Sequence, residues 1–358
     1  MSGRVLEFLI PGDLQAATGG YAYDRRIIAG LRALGWRVSV HGLDASFPHP
    51  SAAALLHAQT VFAQLPEQSL VLVDGLAAGA MPQLLHANAG RLRLLALVHH
   101  PLAAESGLDP KIAQALEGSE RRALKAMRHV IVTSPATRHA LRDLGIEPDK
   151  VTVAEPGTEV MPQSHRARGE TLQMLCVATL IPRKGHDLLL EALAPLTTSR
   201  WHLTCVGSLT RSPETVVRLR AQLRRLNLTE HVTLAGEVDA ETLAQLYCAA
   251  DLFVLPTRLE GYGMAVAEAL AHGLPVISTP VGGISELVGT RAGILVAPDE
   301  VPALRAALRR VLEEPSLLDL LASGAASVRG TLPGWARTCG QLAAALERCG
   351  LQNPADAH

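Results

Sequence analysis

Short apolar runs alternate along this chain with segments of helical periodicity. In the first half, apolar runs at residues 5–10, 37–41, 70–73, 92–98 and 129–133 predict strands. The helical patterns between them include residues 21–34 and 110–127. Strands that alternate with helices are typical of βαβ units, so the first half predicts a parallel sheet with helices packed on it.

The second half repeats this alternation after a change of pattern near residues 151–158. A polar segment, residues 161–170, is typical of a linker. Apolar runs at residues 174–178, 202–206, 232–235, 252–255 and 275–278 then predict a second parallel sheet. Leu332-Pro333-Gly334 interrupts the chain before a last helical segment, residues 336–348. The length of 358 residues also favours two domains, each with its own core.

The segment at residues 260–278 combines a glycine-rich turn with a helix start. Gly261 and Gly263 follow a predicted strand and precede the helix. Free N–H groups at a helix start and the positive end of the helix dipole favour an anion. This helix, predicted at residues 264–271, is apolar on every side except at Glu268, which predicts a buried carboxylate that needs hydrogen-bond donors. Two acids, Glu260 and Glu268, with an anion site between them indicate a site for a phosphorylated sugar.

With these features, the segment resembles the donor site of retaining glycosyltransferases of family 4, whose fold is GT-B. Six other segments resemble the same family in the same order: Gly19-Gly20, His99-His100-Pro101 and residues 177–192, 232–238, 246–251 and 280–286. The Glu-x7-Glu spacing alone would be a weak signal, because helices are rich in glutamate. The ordered set covers nearly the whole chain and identifies it as a member of that family.

The resemblance implies an α/β protein with two Rossmann-like, doubly wound parallel-sheet domains that face each other across a cleft. It implies an acceptor-side domain at residues 1–165 and a nucleotide-sugar-binding domain at residues 166–334. Residues 335–358 would contain a helix that returns toward the first domain. Open α/β sheets bind ligands at the carboxyl ends of their strands, which is consistent with a nucleotide-sugar in the cleft.

The resemblance also implies roles for residues of the second domain. Glu268 would hold the ribose diol, and Glu260 would bind hydroxyls of the donor sugar. The sugar and the phosphate would meet the backbone amides of Gly261, Tyr262, Gly263 and Met264. Two alternatives stay open from the residues alone. Glu268 could pair with a distant arginine in the core, and Glu260 could be a solvated charge at the helix start.

Lys184 follows a predicted strand and precedes the helical pattern at residues 187–194. The family has a Lys-Gly at this place, which implies that Lys184 neutralises the departing diphosphate. An ordinary surface lysine is the alternative. The family often has Gly-Arg five residues earlier, whereas this chain has Ala178-Thr179. A threonine supplies no charge, so one cation is missing, and Arg183 is the candidate to replace it.

Two further candidate sites lie in the first half of the chain. Gly19-Gly20 precedes a helix predicted to begin at Tyr21, and a double glycine lets the backbone approach a phosphate or a sugar. A turn without a ligand is the alternative. His99 and His100 follow a predicted strand, where the family has a histidine that contacts the donor sugar near the reacting carbon. Of the two, His99 is favoured because it comes first after the apolar run.

Composition and missing motifs argue against several other classes. A net charge of −1 and an aromatic content of 3% argue against a nucleic-acid partner. The sequence contains no Asp-x-Asp for a metal-bound diphosphate, no zinc-ligand spacing among its five cysteines and no complete GxGxxG. We therefore expect no metal at the site. The missing GxGxxG argues against a dinucleotide oxidoreductase.

The location of the protein is expected to be cytoplasmic. The start of the sequence has no apolar signal-peptide region, and no apolar run approaches about 18 residues. Four basic residues lie close together on one predicted helix: Arg121, Arg122, Lys125 and Arg128. A basic helix is compatible with peripheral contact to a membrane of anionic lipid, although an ordinary solvated face fits the same pattern.

Together, these features predict a metal-independent retaining glycosyltransferase with His99, His100 and Glu260 as candidate catalytic residues. It would transfer a hexose from a nucleotide-diphospho-sugar, a UDP- or GDP-hexose, to an unidentified acceptor. No cofactor is expected, because the nucleotide-sugar is a substrate. Two alternatives remain. One is a sugar-nucleotide epimerase or phosphorylase-like enzyme of the same fold, and the other is a non-catalytic nucleotide-sugar-binding protein.

Overall fold

The computed structural model describes residues 4–105, 107–159, 161–162, 164 and 170–351. The described residues form two compact units. Unit 1 is drawn from residues 4–157 and 333–351, and unit 2 from residues 158–332. Most of the predicted linker at residues 161–170, and the predicted domain boundary after residue 165, lie outside the described residues.

Unit 1 is built on a parallel β-sheet. In chain order, its first twelve elements are β1 (Val5–Pro11), α1 (Gly19–Ala33), β2 (Arg37–Leu43), α2 (Ala52–Gln64), β3 (Leu70–Asp74), α3 (Gly75–Ala78), α4 (Pro82–Asn88), β4 (Arg93–Val98), α5 (Pro110–Lys125), β5 (His129–Val132), α6 (Pro135–Asp143) and β6 (Val151–Val153). The six strands have the order β2-β1-β3-β4-β5-β6. Strands β3, β4 and β5 consist almost entirely of buried apolar residues, as expected for a parallel sheet covered on both faces.

Unit 2 contains a second sheet of the same kind. Its elements are β7 (Leu172–Val177), α7 (His186–Leu193), β8 (Trp201–Val206), α8 (Pro213–Arg225), β9 (Val232–Gly236), α9 (Ala240–Ala249), β10 (Leu252–Leu255), α10 (Met264–Ala271), β11 (Val276–Ser278), α11 (Ile284–Val288), β12 (Gly293–Leu295), α12 (Val301–Glu313) and α13 (Pro315–Arg329). The strand order is β12-β11-β10-β7-β8-β9, and every pairing is parallel.

Both sheets are doubly wound, which confirms the predicted fold class. The strand order reverses between β1 and β3 in unit 1 and between β7 and β10 in unit 2. Ligands of open α/β sheets bind outside the carboxyl ends of the strands at such a switch point. The loops that follow these four strands are therefore the first places to look for a site.

The last helix of the chain, α14 (Trp335–Leu351), belongs to unit 1. The Thr338 hydroxyl donates a hydrogen bond to the carbonyl of Glu155 at 2.6 Å, and Arg348 donates to the hydroxyl of Thr152 at 3.1 Å. The described residues contain no helix that is both long enough and apolar enough to cross a membrane.

Candidate functional site

Two loops at the switch point of unit 2 bring a lysine and a glutamate into contact. Lys184 lies in the loop after β7, and Glu260 lies in the loop after the neighbouring strand β10. Lys184 Nζ donates a hydrogen bond to Glu260 Oε1 at 2.5 Å. Only 14% of the lysine side chain and 11% of the glutamate side chain are exposed. Neither residue is a solvated surface charge, and the contact is a charge-assisted hydrogen bond in a largely buried setting.

Arg183 adds a second positive charge beside the pair. Its Nη1 atom donates to the carbonyl of Leu259 at 2.8 Å and lies 3.9 Å from Glu260 Oε2. Burial raises the pKa of Glu260. The charges of Lys184 and Arg183 and the hydrogen bonds with Lys184 and Thr257 outweigh this effect and hold the pKa below its ordinary value. Glu260 is therefore ionised at neutral pH, and the two cations leave one net positive charge for an anionic ligand.

The two loops are also held together by contacts outside the ion pair. Arg258 donates to both carboxylate oxygens of Asp187, at 3.0 and 2.9 Å, and to the carbonyl of Pro182. The backbone N–H of Arg258 donates to the carbonyl of Arg183 at 2.7 Å. The hydroxyl of Thr257 reaches the same carbonyl at 3.2 Å. The backbone around Lys184 is therefore fixed by the loop after β10, whether or not the ion pair is formed.

Glycines shape both loops. Gly185 has a φ of +72°, and a Cβ atom there would lie 2.0 Å from the carbonyl oxygen of Pro256, so no side chain fits. Gly263 has a φ of +99° and begins α10, and no side chain among the described residues caps this helix start. Backbone N–H groups in the first turn of α10 can therefore donate to ligand oxygens, as an anion site requires.

Glu268 lies on α10 and is half-buried, so the predicted buried carboxylate is only partly covered. The helix is apolar around its circumference, but the face that carries Met264, Ala265 and Glu268 is only partly covered. Tyr247 donates a hydrogen bond from its hydroxyl to Glu268 Oε2 at 3.1 Å. Burial and the charge of Glu268 raise the pKa of Tyr247 well above its ordinary value, so the phenol stays protonated and remains a donor.

In unit 1, His99 lies beside two buried carboxylates. Its Nε2 atom is 3.6 Å from Asp24 Oδ1 and 3.9 Å from Asp74 Oδ2. Asp24 lies on α1, Asp74 ends β3, and His99 directly follows β4. The hydroxyls of Thr133 and Thr137 donate to the carbonyl of His99 at 3.3 and 3.2 Å. The sheet edge and the first helix thus assemble a cluster from residues that are far apart in sequence.

The ionisable groups of this cluster shift one another's pKa values. Burial and the charge of Asp24 raise the pKa of Asp74 to about 7, against the opposite effects of His99 and the Leu76 amide. Burial lowers the pKa of His99, but the nearby charges of Asp24 and Asp74 outweigh this effect and raise the pKa above its ordinary value. Both carboxylate oxygens of Asp24 are buried and have no hydrogen-bond partner within 3.5 Å among the described residues. The cluster therefore favours a protonated imidazole at His99.

The other predicted residues of unit 1 have different surroundings. A Cβ atom added to Gly20 would lie 3.5 Å from the His99 ring, so the backbone passes close to this histidine. Helix α1 begins at Gly19, capped by the Thr18 hydroxyl, so the glycine pair forms its first turn and the predicted start at Tyr21 is wrong. The second histidine, His100, faces Glu105, with Nε2 at 3.6 Å from Oε2.

The sequence reasoning did not find several residues of these sites. Tyr247 lies in a segment that resembled the family, but it was given no role. Asp74 follows an apolar run at the carboxyl end of a strand, which is a usable signal. Asp24 is an acid on the buried face of α1, next to Tyr23 and Ile27, and it also stands out in the sequence. Nothing in the sequence marks Arg258, whose partners lie in other loops.

Comparisons with known proteins identify similar sequences and folds. A family model described as "Glycosyltransferase Family 4" matches residues 22–160, and one described as "Glycosyl transferases group 1" matches residues 171–314. Two curated relatives carry the name D-inositol 3-phosphate glycosyltransferase. The one from Jonesia denitrificans is 27% identical over 58% of this chain and 54% of its own length. The one from Thermomonospora curvata is 29% identical over 70% of this chain and 63% of its own length. The chain thus spans less than two thirds of either relative.

Solved structures show the same fold over nearly the whole chain. A sucrose-phosphate synthase from Thermosynechococcus elongatus has a TM-score of 0.81 and 22% identity, covering 96% of this chain and 98% of its own. The Anabaena protein Alr3699/HepE, in complex with UDP and glucose, has a TM-score of 0.76 and 20% identity, covering 96% of this chain and 100% of its own. At these identities the likeness shows the fold alone.

Proposed function

Because the chain belongs to the group 1 (family 4) glycosyltransferases, we propose that it transfers a hexose from a nucleotide-diphospho-sugar to an acceptor hydroxyl. The proposed reaction retains the anomeric configuration and uses no metal ion at the diphosphate. The observation that carries the proposal is the buried Lys184–Glu260 pair beside the uncapped start of α10. It combines a cation for a diphosphate, a carboxylate for sugar hydroxyls and N–H donors for phosphate oxygens.

The site residues of unit 2 each have a defined part in this proposal. Lys184 stabilises the charge that grows on the diphosphate as the glycosidic bond breaks. Arg183, which lies beside Glu260, adds a second positive charge. The N–H groups of the residues around Gly263 bind the sugar and the phosphate. Glu268, which already accepts a hydrogen bond from Tyr247, accepts further bonds from the ribose diol. A carboxylate has about four lone-pair sites and can therefore accept hydrogen bonds from more than one donor.

For unit 1, we propose that His99 contacts a sugar near the reacting carbon. The carboxyl groups of Asp24 and Asp74 lie beside its ring, and the charge of Asp24 above all favours its protonated form. A protonated imidazole is a donor only, which suits an oxygen that gains negative charge. His100 faces Glu105 instead, so His99 is the better candidate. We propose acceptor binding for unit 1 and donor binding for unit 2.

The nucleotide of the donor can be screened directly. A ligand that binds the folded protein raises its thermal stability in proportion to RT ln(1 + [L]/Kd). UDP, GDP and their hexose derivatives form the first panel, since the Anabaena structure holds UDP. A nucleoside diphosphate that raises Tm in the wild type and not in a Lys184→Ala variant supports the donor site. If no nucleoside diphosphate or nucleotide-sugar raises Tm, the proposed donor site is wrong.

An acceptor panel then separates a transferase from a binding protein. D-inositol 3-phosphate belongs in the panel because the two relatives are named for it. Mass spectrometry should find an acceptor that is heavier by one hexose residue. Binding of a nucleotide-sugar without any new product, or interconversion of the sugar without an acceptor, would instead favour the binding protein or the epimerase.

A further inference from the structure

Two cysteines and a histidine meet in the core of unit 2. Cys176 on β7 and Cys205 on β8 are directly opposite each other in the parallel register, so their side chains project from the same face of the sheet. His186 is the first residue of α7, and its Nε2 atom lies 3.6 Å from Cys176 Sγ. One ligand atom from each residue lies within 4.8 Å of the other two. The three residues are 0, 2 and 3% exposed, respectively.

The spacing of this cluster fits the coordination shell of a zinc ion. Zinc–sulfur bonds of about 2.3 Å and zinc–nitrogen bonds of about 2.0–2.1 Å at a tetrahedral angle place sulfur and nitrogen about 3.5–3.6 Å apart. The Cys176–His186 distance of 3.6 Å has this value before any ion is bound. Two thiolates and one imidazole are also ligands that zinc prefers.

The electrostatics of the cluster point to the same ligand. Two thiolates carry two negative charges, and a divalent cation neutralises both. A buried group of zero net charge avoids the large cost of burying an uncompensated thiolate.

A groove reaches one of the three proposed ligands. His186 lines a groove of about 470 Å³ between the loop at Ile181–Pro182 and helix α8. His186 Nδ1 is buried and has no hydrogen-bond partner among the described residues. With one water as a fourth ligand, the three residues match the three-ligand arrangement with one open position known for zinc.

We propose that Cys176, Cys205 and His186 bind one Zn²⁺ ion that ties β7 and β8 to the start of α7. Binding releases the two thiol protons to solvent and forms two zinc–sulfur bonds and one zinc–nitrogen bond. The ion is distinct from the diphosphate site, and the inference does not depend on the proposed transferase activity. Because His186 is two residues after Lys184, the metal also fixes one end of the lysine loop.

Metal content tests the proposal. The full chain, free of any histidine tag, is reduced, loaded with Zn²⁺, passed through a desalting column and analysed by mass spectrometry of the metal. The wild type should retain one equivalent of zinc, and the Cys176→Ser and Cys205→Ser variants should retain less than a tenth of that. Cys248→Ser is the matched control, since Cys248 Sγ lies 3.8 Å from His272 Nδ1 without a second cysteine in that contact.

A second measurement does not require a stable variant. Loading the wild type with Co²⁺ should produce a thiolate-to-cobalt band in the near ultraviolet and strong tetrahedral bands in the visible. Less than a tenth of an equivalent of zinc in the wild type, no thiolate band, or zinc content unchanged in Cys176→Ser would overturn the proposal. The cluster would then be a buried S–H···N hydrogen bond.

Discussion

Lys184 and Glu260 are 76 residues apart in sequence, and Lys184 Nζ donates to Glu260 Oε1 at 2.5 Å. The contact holds the lysine in place before a ligand arrives. A diphosphate that binds here does not have to order a flexible side chain, which would otherwise reduce its affinity. The glutamate keeps a second oxygen, near Arg183, for other donors. The pair thus links the proposed diphosphate site to the proposed sugar site, and each half can be tested separately.

Replacing Lys184 with alanine should weaken the binding of a nucleoside diphosphate more than the binding of the monophosphate, because the cation is assigned to the distal phosphate. Loss of one charged hydrogen bond of about 1.5–3 kcal/mol corresponds to about 10–100-fold in Kd. Arg183→Ala should show a smaller effect, and Arg220→Ala, on the exposed face of α8, should show none. Titration calorimetry measures all four proteins. Equal losses for the two nucleotides would mean that Lys184 acts on the fold or on the nucleoside.

Glu260→Gln should separate binding from turnover. The substitution removes the partner of Lys184 without removing the lysine, so the affinity for a free nucleoside diphosphate should stay the same or rise. Transfer of the sugar should fall about 10–100-fold, because a charged acceptor for sugar hydroxyls is lost. Glu191→Gln, on the exposed part of α7, is the control. Loss of nucleotide affinity with unchanged kcat would remove the assignment of Glu260 to the sugar.

Tyr247 and Glu268 should act as a unit on the nucleoside. Glu268→Ala should lower the affinity for the nucleoside diphosphate about tenfold or more, and Tyr247→Phe should lower it about 2–10-fold, the usual effect of one neutral hydrogen bond. The double variant should be no weaker than Glu268→Ala alone, since Tyr247 acts through that carboxylate. Additive losses, or an unaffected Glu268 variant, would rule out the ribose assignment.

The sequence predicted the two sheets and the turn before α10, because both depend on local patterns. Apolar runs locate the strands, and Gly261 and Gly263 locate the turn that precedes the helix. The predicted helix at residues 264–271 has the observed bounds. The predicted fold class and family are confirmed, while the roles of the site residues and the domain boundaries stay predictions.

The features that the sequence did not predict are contacts between residues that lie far apart along the chain. The Lys184–Glu260 contact requires β7 and β10 to be neighbours, although three α-helices and two strands lie between them along the chain. The Cys176–Cys205 pairing likewise requires a strand register that no ligand spacing in the sequence reveals. Coverage of Glu268 was overestimated for a different reason. An apolar helix surface made largely of alanine can remain partly uncovered.

Stability should fall with rising pH because of Asp74. The folded protein holds a proton on this carboxyl up to about pH 7, whereas the unfolded chain releases it near its ordinary pKa of about 4. The folded state therefore binds more protons between these values, and the free energy of unfolding decreases by as much as about 1.4 kcal/mol per pH unit. The pKa of His99 is also raised in the folded protein. The stability that its protonated form contributes is therefore lost as the pH rises through that folded-state pKa.

Asp74→Asn should flatten this dependence between about pH 4 and 7, and should be most stabilising relative to the wild type near pH 7. Urea unfolding at several pH values measures the free energy of unfolding of both proteins. Asp143→Asn, at an exposed position of α6, is the control and should leave the slope unchanged. The assignment of this proton to Asp74 would be contradicted if the stability of the wild type rose from pH 5 to 7 and the stability of Asp74→Asn rose with the same slope.

The stereochemistry of the product is the sharpest test of the proposed mechanism. Glu260 is assigned to sugar hydroxyls and His99 to the edge of the sugar, so neither of these side chains acts as the nucleophile in the proposed mechanism. In the proposed mechanism, the acceptor attacks from the side of the leaving group, and a donor phosphate oxygen takes the acceptor proton. Lys184 and the amides at the start of α10 stabilise the departing diphosphate. Proton NMR of the product from an α-linked donor should show an α linkage.

The same mechanism needs no added Mg²⁺ or Mn²⁺, because the chain has no Asp-x-Asp and uses Lys184 instead. Turnover with EDTA present should stay within about twofold of turnover with Mg²⁺, well under the tenfold that 1.4 kcal/mol represents. Zinc content measured on the same sample distinguishes loss of the buried zinc proposed at Cys176 from loss of an ion at the diphosphate. A β linkage would overturn the retaining mechanism. Activity that returns only with Mg²⁺ or Mn²⁺, while zinc content is unchanged, would show that Lys184 does not replace a metal at the leaving group.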